Sequence, residues 1–415
     1  MPLSARGLIP SRFSDESVSI VSGAIVAITD AHALTETQRD RLTSAYESIG
    51  QFLSEHPTLG GVTVEVHPQG SMLIGTSTRP EGRTEMDVDL VLLLKPGVQD
   101  QFNCRQLLDV VHQAMYEYAM RHDLGIEQKR RCVQLQYADE MHADVTPVVH
   151  SPKLLGPHGD TFGLVPDREL SRYMGTNPKG YGLWVNAVAT RTPLFGKRVA
   201  DMDALAKAGV TPLPSIEIFD RLLARIIQIL KIHRNKYFAQ MPDLAPPSVV
   251  ITTTAVQSYL AALGDTFDTP LDLMMRMWRD MPTYIQRRTM PRGEHWTLGN
   301  PTAAEDNLAD RMNSSPDRQD AFDDWHRTFG VDVLGMIELA GQNQGMDALC
   351  KSVSTLFGSR AEDSVSAALC ASINGHRDGQ MIVVPVSADS TSASLLSTAP
   401  VRMKSQPHRF FGRDE

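Results

Sequence analysis

The fold of this chain is decided by the stretch Gln69-Gly70-Ser71-Met72-Leu73-Ile74-Gly75-Thr76, followed by Met86-Asp87-Val88-Asp89-Leu90-Val91-Leu92-Leu93-Leu94. Asp87 and Asp89 open an apolar run of the β type. A strand's period of two places both carboxylates on one face, which can hold a divalent cation, while Val88 points to the other. Gly70 and Ser71 offer backbone N–H groups and a hydroxyl without bulk, which suits a triphosphate that approaches a turn or a helix start. We therefore expect phosphate and metal to meet in one place.

Composition bounds the class of protein. The chain has 415 residues, of which 42% are hydrophobic and 21% charged, as in ordinary globular proteins. This length predicts two or three structural units, which one bilobed enzyme satisfies. Since 40 Lys and Arg face 49 Asp and Glu, the net charge is −9, and no global basic field would bind long nucleic acid. Any nucleotide site must be local.

Cysteine usage and hydropathy indicate the compartment. Cys104, Cys132, Cys350 and Cys370 lie far apart and form no C-x-x-C pair, which argues against a zinc module or a disulfide framework. The N-terminus lacks a secretory signal pattern, and no run approaches the roughly 18 to 20 apolar residues that span a bilayer. These patterns predict a soluble cytoplasmic protein without membrane contact.

Hydrophobic periodicity predicts the elements around the opening stretch. Residues 15–59 read as helices, and Thr35 with Gln38 resembles a capping box at the start of the second one. Residues 62–66 alternate as a strand, and residues 102–121 read as a helix. Further strands are predicted at 131–137 and 141–149, the second of which carries Asp144 in an apolar setting. Burying an ionised carboxylate there is costly, so Asp144 should be protonated, paired or bound to a metal; beside Asp87 and Asp89, a metal is the sharpest interpretation.

The second half of the chain reads as mostly helical. Residues 150–214 are rich in Gly and Pro, which predicts surface connections around a short helix near 182–190. Residues 215–236 form a strong amphipathic pattern with many basic side chains, typical of a central helix. Ser248 is expected to cap a helix over 249–263. Further helical patterns lie at about 270–288, 302–313, 317–328, 332–341 and 345–358.

Three carboxylates on neighbouring strands can hold two Mg²⁺ ions, for which Mn²⁺ could substitute, and such a site performs nucleotidyl transfer. Asp87 and Asp89 would hold both metals, and Asp144 the one that activates an acceptor hydroxyl. Ser71 and the turn amides would grip phosphates. A lone D-x-D or G-S pair is common in proteins without such a site, so the prediction depends on the combination and its spacing.

These motifs resemble those of the bacterial cGAS/DncV-like nucleotidyltransferases (CD-NTases) of the polymerase-β-type superfamily. The G-S pair matches Gly70 and Ser71, the D-x-D matches Asp87 and Asp89, and the later single aspartate matches Asp144. Segments 229–238 and 300–307 resemble the group more narrowly, and the resemblance covers about residues 40–330.

The resemblance implies an α+β fold of two lobes, with a palm-like mixed β-sheet and a mostly helical second lobe around a pocket for two nucleoside triphosphates. We expect a palm lobe with the N-terminal helices over 1–214, a helical lobe that closes the nucleotide pocket over 215–386, and a flexible tail over 387–415. Residues placed like Lys231 and Ser248 contact the donor triphosphate in relatives. The alternative without a binding role is that Lys231 lies on a solvated helix face and Ser248 is a simple N-cap. Tyr181 and Trp184 are either base-stacking or core residues.

The resemblance also implies the activity: a Mg²⁺-dependent synthase that joins ATP, GTP or another nucleoside triphosphate into a cyclic di- or trinucleotide messenger for antiphage (CBASS) signalling. The residues themselves argue only nucleotidyl transfer. Two alternatives stay open, a linear or protein-directed nucleotidyltransferase and a catalytically silent nucleotide-binding regulator. Segment 407–415 could serve conjugation or a regulatory protein partner, and a disordered end fits it equally well.

Overall fold

The computed structural model describes residues 9–79, 86–137, 141–154, 156–196, 221–291, 293–342 and 345–377. It combines a mixed seven-stranded sheet with a mostly helical second part, which confirms the predicted α+β class. The helices are α1 Asp15–Ala31, α2 Glu36–Glu55, α3 Gly70–Leu73, α4 Val98–Gln101, α5 Cys104–His122, α6 Pro178–Ala189, α7 Leu222–Tyr237, α8 Ser248–Ala262, α9 Pro270–Asp280, α10 Pro316–Ala340, α11 Gly345–Phe357 and α12 Ser359–Arg377.

The strands form one large sheet and three small pairs. They are β1 Thr63–Pro68, β2 Met86–Leu94, β3 Gly125–Gln128, β4 Val133–Tyr137, β5 Met141–His150, β6 Gly163–Asp167, β7 Arg172–Thr176, β8 Leu194–Phe195, β9 Thr266–Phe267, β10 Gln286–Met290, β11 Gly293–Thr297, β12 Gly299–Asn300 and β13 Ala303–Asn307. The large sheet has the order β1-β2-β5-β4-β3, and β6 pairs with the end of β5 and with β7. Within it β2 and β5 are parallel, and the other pairs are antiparallel.

The two faces of β2 have different surroundings. Val88 and Leu90 lie in a hydrophobic cluster with residues of α2 and α5, such as Ile49 and Val111. Because side chains alternate along a strand, Asp87 and Asp89 lie on the opposite face. The apolar half of the strand therefore fixes β2 in the core and leaves its carboxylates facing away from that core.

A second hydrophobic cluster is built from helices, among them α7, α8, α9 and α10. Helix α1 contributes Val21 and Ile28 to this cluster rather than to the one under the sheet. The division into 1–214, 215–386 and 387–415 stays a prediction, because residues 197–220 and 378–415 lie outside the described residues.

Helix α7 is tied to α10 by a buried polar chain. The indole Nε1 of Trp325 donates a hydrogen bond to Nδ1 of His233 at 3.1 Å. Since Nδ1 accepts, Nε2 carries the proton, and it faces Oδ2 of Asp332 at 3.0 Å. His233 is 2% exposed, so this chain fixes the position and rotation of α7.

Most elements predicted around the opening stretch are confirmed. Thr35 caps α2 in a capping box with Gln38, and strands occupy 63–68, 133–137 and 141–150. The predicted helix over 102–121 is α5, which starts two residues later because Asn103 caps it. The central helix is α7, and its predicted first residues, 215–220, lie outside the described part.

The short helix predicted near 182–190 is confirmed, but the interpretation of the rest of 150–214 as surface connections was wrong for its described part. Strands β6 and β7 extend the sheet, and α6 begins at Pro178, after Asn177 as its N-cap. A Cβ on Gly163 would overlap Val148, so the glycine that read as a loop residue allows β6 to approach β5. This reason is non-local and invisible in the Gly and Pro content.

The helix predicted at 302–313 was also wrong, since strand β13 and a 3₁₀ turn over Asp310–Ser314 occupy that range. The side-chain Oδ1 of Asn307 accepts from the backbone N–H groups of Leu298 and Ala309 at 2.9 and 3.0 Å. These bonds stabilise a turn in place of helical bonds. Patterns 317–328 and 332–341 form one helix, and 270–288 ends its helix at Asp280 and continues into β10.

Within the described ranges, no helix by itself has both the length and the apolar character needed to cross a membrane. The pair α1 and α2, bent by 47°, meets that test when taken together. In the structure the apolar side chains of α1 are buried in the helical cluster.

Replacing Trp325 tests the buried polar chain. We expect Trp325→Phe to lower the free energy of unfolding by about 1 to 3 kcal/mol, because Nδ1 of His233 loses its buried donor. Urea unfolding measures the change. Trp184→Phe, the same substitution at a half-buried position, should cost less, and equal losses in the two variants would contradict the role of the chain.

Candidate active site

The parallel pairing of β2 and β5 brings the predicted carboxylates together. Asp89 and Asp144 are direct register partners, and Asp87 stands beside His142. One oxygen from each of Asp87, Asp89 and Asp144 lies within 4.8 Å of the others. The structure thus places the two carboxylates of the D-x-D motif and the later single aspartate in one cluster.

The three carboxylates of the cluster disfavour one another's ionised forms. Burial, followed by repulsion from Asp87 and Asp144, raises the pKa of Asp89 to about 7. Burial also raises the pKa of Asp144, against the opposing effect of a hydrogen bond from Nε2 of Gln134 to its Oδ1 at 2.9 Å. A cation bound between these side chains would remove the repulsion.

Asp87 is the most exposed member of the cluster, and the imidazole of His142 lies within reach of it. Nε2 of His142 lies 3.1 Å from its Oδ1. His142 precedes Asp144 by two residues and lies on the same face of β5. Thus His142 of β5 contacts Asp87, and Gln134 of β4 contacts Asp144.

Gly70 and Ser71 open the short helix α3 directly beside Asp89. Gly70 has φ +59°, and a Cβ there would overlap Oδ2 of Asp89. The backbone N–H of Gln69 donates to the C=O of Asp89 at 2.8 Å, which fixes α3 to β2. The hydroxyl of Ser71 accepts from Ser77 at 3.1 Å. Only glycine at position 70 leaves both the backbone and the carboxylate undisturbed.

Lys231 comes from the distant helix α7 to the loop after α3. Its side chain is 6% exposed, and Nζ donates to the C=O of Thr76 at 2.9 Å. Burial, and next the charge of Arg234, lowers the pKa of Lys231 to about 8, whereas Asp89 and Asp87 act in the opposite direction. Lys231 is therefore mostly charged at neutral pH, and it lies within electrostatic range of the carboxylates.

Ser248 does not cap α8 as predicted. The N-cap is Pro247, no side chain caps this helix, and Ser248 is its first residue. Its hydroxyl oxygen accepts a hydrogen bond from Arg234 at 2.7 Å instead. The cap prediction failed because a tertiary partner engages the side chain, which leaves the binding role open.

A cavity of about 290 Å³ joins these elements. Six predicted site residues line it: Gly70, Ser71, Asp87, Asp89, Lys231 and Ser248. Asp144 is not one of the lining residues and is joined to the cavity through its cluster with Asp87 and Asp89. Tyr181 also lines the cavity, with its hydroxyl 2.8 Å from Oγ1 of Thr253, whereas Trp184 is packed against the helical cluster.

Sequence reasoning missed several lining residues. Thr76, Ser77 and Thr78 follow α3, and Leu34 and Leu42 belong to the region of α2. Arg234 also lines the cavity, and it follows Lys231 by three residues. The helical period alone could have found Arg234, because residues i and i+3 share a face. Leu34 and Leu42 gave no local signal.

The donor set fits a hard divalent cation. Carboxylate oxygens are the ligands that Mg²⁺ prefers, and the spacing within the cluster suits ions that keep open positions for phosphate. The raised pKa of Asp89 indicates the same need for positive charge.

Comparison with known proteins agrees with this geometry. Residues 28–188 match the family model of the Second Messenger Oligonucleotide or Dinucleotide Synthetase (SMODS) domain. A protein of Roseivirga ehrenbergii named c-di-GMP synthase is 29% identical over 306 residues, which cover 71% of this chain and 73% of that protein. The cyclic dinucleotide synthase CdnG of Bradyrhizobium diazoefficiens is 28% identical over 232 residues, or 51% of this chain and 52% of CdnG.

The structural comparison concerns the fold. The structure of the Bradyrhizobium diazoefficiens CD-NTase CdnG in complex with GTP has a TM-score of 0.60 at 20% identity, and the match covers 86% of this chain and 99% of that one. The sequence is similar to these second-messenger synthases, and at 20% identity the structural match shows that the chain has the fold of the CD-NTase CdnG.

Two glycines with positive φ separate backbone strain from steric conflict. Gly70→Ala should weaken Mn²⁺ binding by roughly tenfold or more, because the new Cβ displaces the carboxylate of Asp89. Gly97 has φ +88°, and the nearest atom to a Cβ there is 4.0 Å away, in Asp100. Gly97→Ala should therefore lose some stability and keep Mn²⁺ affinity. Titration followed by electron paramagnetic resonance measures binding, and equal affinity in both variants would refute the steric argument.

Repulsion in the cluster predicts how stability depends on pH without metal. Between about pH 4 and 7, Asp89 is ionised in the unfolded chain but still protonated in the folded chain, because folding raises its pKa to about 7. This side chain therefore lowers the free energy of unfolding as pH rises. In EDTA, Asp89→Asn should be more stable than the wild type by roughly 1 to 3 kcal/mol at pH 8. Urea unfolding should find the difference absent below pH 4; no difference at pH 8 would contradict the repulsion.

Proposed function

We propose that this chain is a metal-dependent nucleotidyltransferase that joins nucleoside triphosphates into a cyclic dinucleotide and releases pyrophosphate. The observation that carries the proposal is the convergence of Asp87, Asp89 and Asp144 within 4.8 Å at one wall of the cavity. Gly70, Ser71 and Lys231 line the same cavity, so groups suited to metal and to phosphate meet in one space.

The reaction forms and breaks one bond in each step. A ribose hydroxyl oxygen of the acceptor nucleotide bonds to the α-phosphorus of the donor, the bond from that phosphorus to the β-bridging oxygen breaks, and pyrophosphate leaves with the electron pair. The hydroxyl proton passes to solvent or a nearby base. A second such step within the linear intermediate closes the ring.

The residues of this chain divide the work. Asp87 and Asp89 would hold both metal ions, and Asp144 would help to hold the one nearer the acceptor. When bound, two Mg²⁺ ions supply Lewis-acid activation of the hydroxyl and neutralisation of the leaving pyrophosphate. Ser71 and the α3 backbone would orient the donor phosphates, and Lys231 would add positive charge beside them.

GTP is the first substrate to test. The relative from Roseivirga ehrenbergii is named c-di-GMP synthase, and the structure of CdnG contains GTP. By this similarity we propose cyclic di-GMP, or a cyclic dinucleotide that contains at least one guanosine, as the product. ATP is the alternative second substrate. The polar side chains of Asn235 and Thr252 line the cavity and are available for hydrogen bonds to a base.

The wider role is proposed from the family. A cyclic dinucleotide would serve as a second messenger in antiphage (CBASS) signalling in the cytoplasm. Regulation by a protein partner or by conjugation of the C-terminal segment belongs to the same proposal, and that segment lies outside the described residues.

Product analysis tests the activity. Purified protein is incubated with labelled GTP, ATP or both, with Mg²⁺ or Mn²⁺, and products are resolved by chromatography and mass after phosphatase treatment. We expect a phosphatase-resistant cyclic product that contains guanosine. Asp87→Asn/Asp89→Asn should reduce its formation roughly a thousandfold or more, because the metal ligands are lost.

The matched control is Asp40→Asn, which removes an exposed carboxylate of α2 that does not line the cavity and should retain full activity. Linear or protein-bound products would instead support the first alternative. Absence of any metal-dependent product from wild-type protein that binds nucleotide would favour a silent regulator.

A further inference from the structure

Arg234 is a cationic side chain in the cavity wall that the proposed reaction does not yet use. It lies on α7 one turn beyond Lys231 and lines the same cavity. Its guanidinium is held on one side, where one NH₂ group donates to the C=O of Pro246 and the other to Oγ of Ser248, both at 2.7 Å. The side chain is therefore preorganised by two neutral acceptors.

The charge of Arg234 lacks an anion. Among the described residues no carboxylate forms an ion pair with it, and its buried Nε has no hydrogen-bond partner. The charged group that acts on Arg234 is a further cation, Arg311, whereas Lys231 is near both Arg234 and the carboxylates of Asp89 and Asp87. A mostly buried guanidinium without a counter-ion is costly, so this part of the cavity is suited to an anionic ligand.

Ser248 extends the same site. Because its oxygen accepts from Arg234, its own hydroxyl proton is free to donate to another acceptor. Arg234 thus fixes the hydroxyl oxygen, and Ser248 lines the cavity next to it. Together they offer charge and a directed donor, the combination that phosphate oxygens accept.

We propose that Arg234, with Ser248 held by it, binds the terminal phosphate of the donor nucleotide and makes the site select triphosphates over diphosphates. This inference rests on the proposed function and names a residue that selects the donor. A nucleoside triphosphate with one bridging Mg²⁺ keeps about two negative charges at neutral pH. Arg234 supplies a positive charge for the terminal phosphate, whereas a diphosphate lacks this third phosphate to pair with the guanidinium.

Equilibrium binding distinguishes this role. The α,β-methylene analogues of GTP and ATP, which cannot release pyrophosphate, and GDP are titrated calorimetrically with Mg²⁺ into wild type, Arg234→Met and Arg234→Lys. Arg234→Met should lose about 10- to 100-fold in affinity for both triphosphate analogues and less than about threefold for GDP. The affinity of Arg234→Lys should lie between those of wild type and Arg234→Met, because a single ammonium group replaces the planar guanidinium with its several N–H donors. In turnover, the KM for the donor should rise by a similar factor with kcat little changed.

Lys236→Met is the matched control, since Lys236 is an exposed basic residue on the same helix and should leave both affinities unchanged. If wild type binds the analogues and both Arg234 variants keep its preference over GDP, the inference is wrong and the proposed function stands. Loss confined to the guanosine analogue would mean that Arg234 reads the base, which also overturns it. If wild type binds neither analogue, both proposals fail. Arg234→Lys keeps the test decisive should Arg234→Met not fold.

Discussion

Mutual repulsion among Asp87, Asp89 and Asp144 is the main physical constraint on the candidate active site. The parallel pairing of β2 with β5 forces these side chains within 4.8 Å of one another, although burial already disfavours their ionised forms. Protonation of Asp89 relieves part of this repulsion, and a bound cation would relieve it with all three carboxylates ionised. The apolar half of β2 supplies the opposing stabilisation, because its buried leucines fix the strand in the core under α2 and α5.

The neighbouring elements adapt to that cluster. Gly70 has no side chain where Asp89 needs space, so α3 starts close to the carboxylates. Helix α7 presents Lys231 to the loop after α3 and buries His233 against α10. One rigid helix thereby carries positive charge into the cavity while its other contacts set the helix position. Because α7 is fixed by the buried contacts of His233, the position of the Lys231 charge in the cavity is well defined.

Local patterns were sufficient for part of this structure. The capping box at Thr35, the strand with Asp87 and Asp89 and the amphipathic pattern of α7 depend on residues close in sequence, so they could be predicted. Strands β6 and β7 could not, because Gly163 and Pro166 read as loop residues until β5 is there to pair with them. The hairpin at 299–307 has the same origin, since the side chain of Asn307 holds backbone groups of segments on both sides.

The sequence by itself determined which residues could bind metal and phosphate, because a D-x-D at the start of an apolar strand and a G-S at a turn carry their chemistry in their spacing. The tertiary structure decided which distant groups join them. Lys231 bonds to Thr76 across 155 residues, and Gln69 joins β2 through the backbone of Asp89. The unpaired charge of Arg234 and the true partner of Ser248 also follow from packing alone. Such contacts form only when separate elements meet, so no local pattern encodes them.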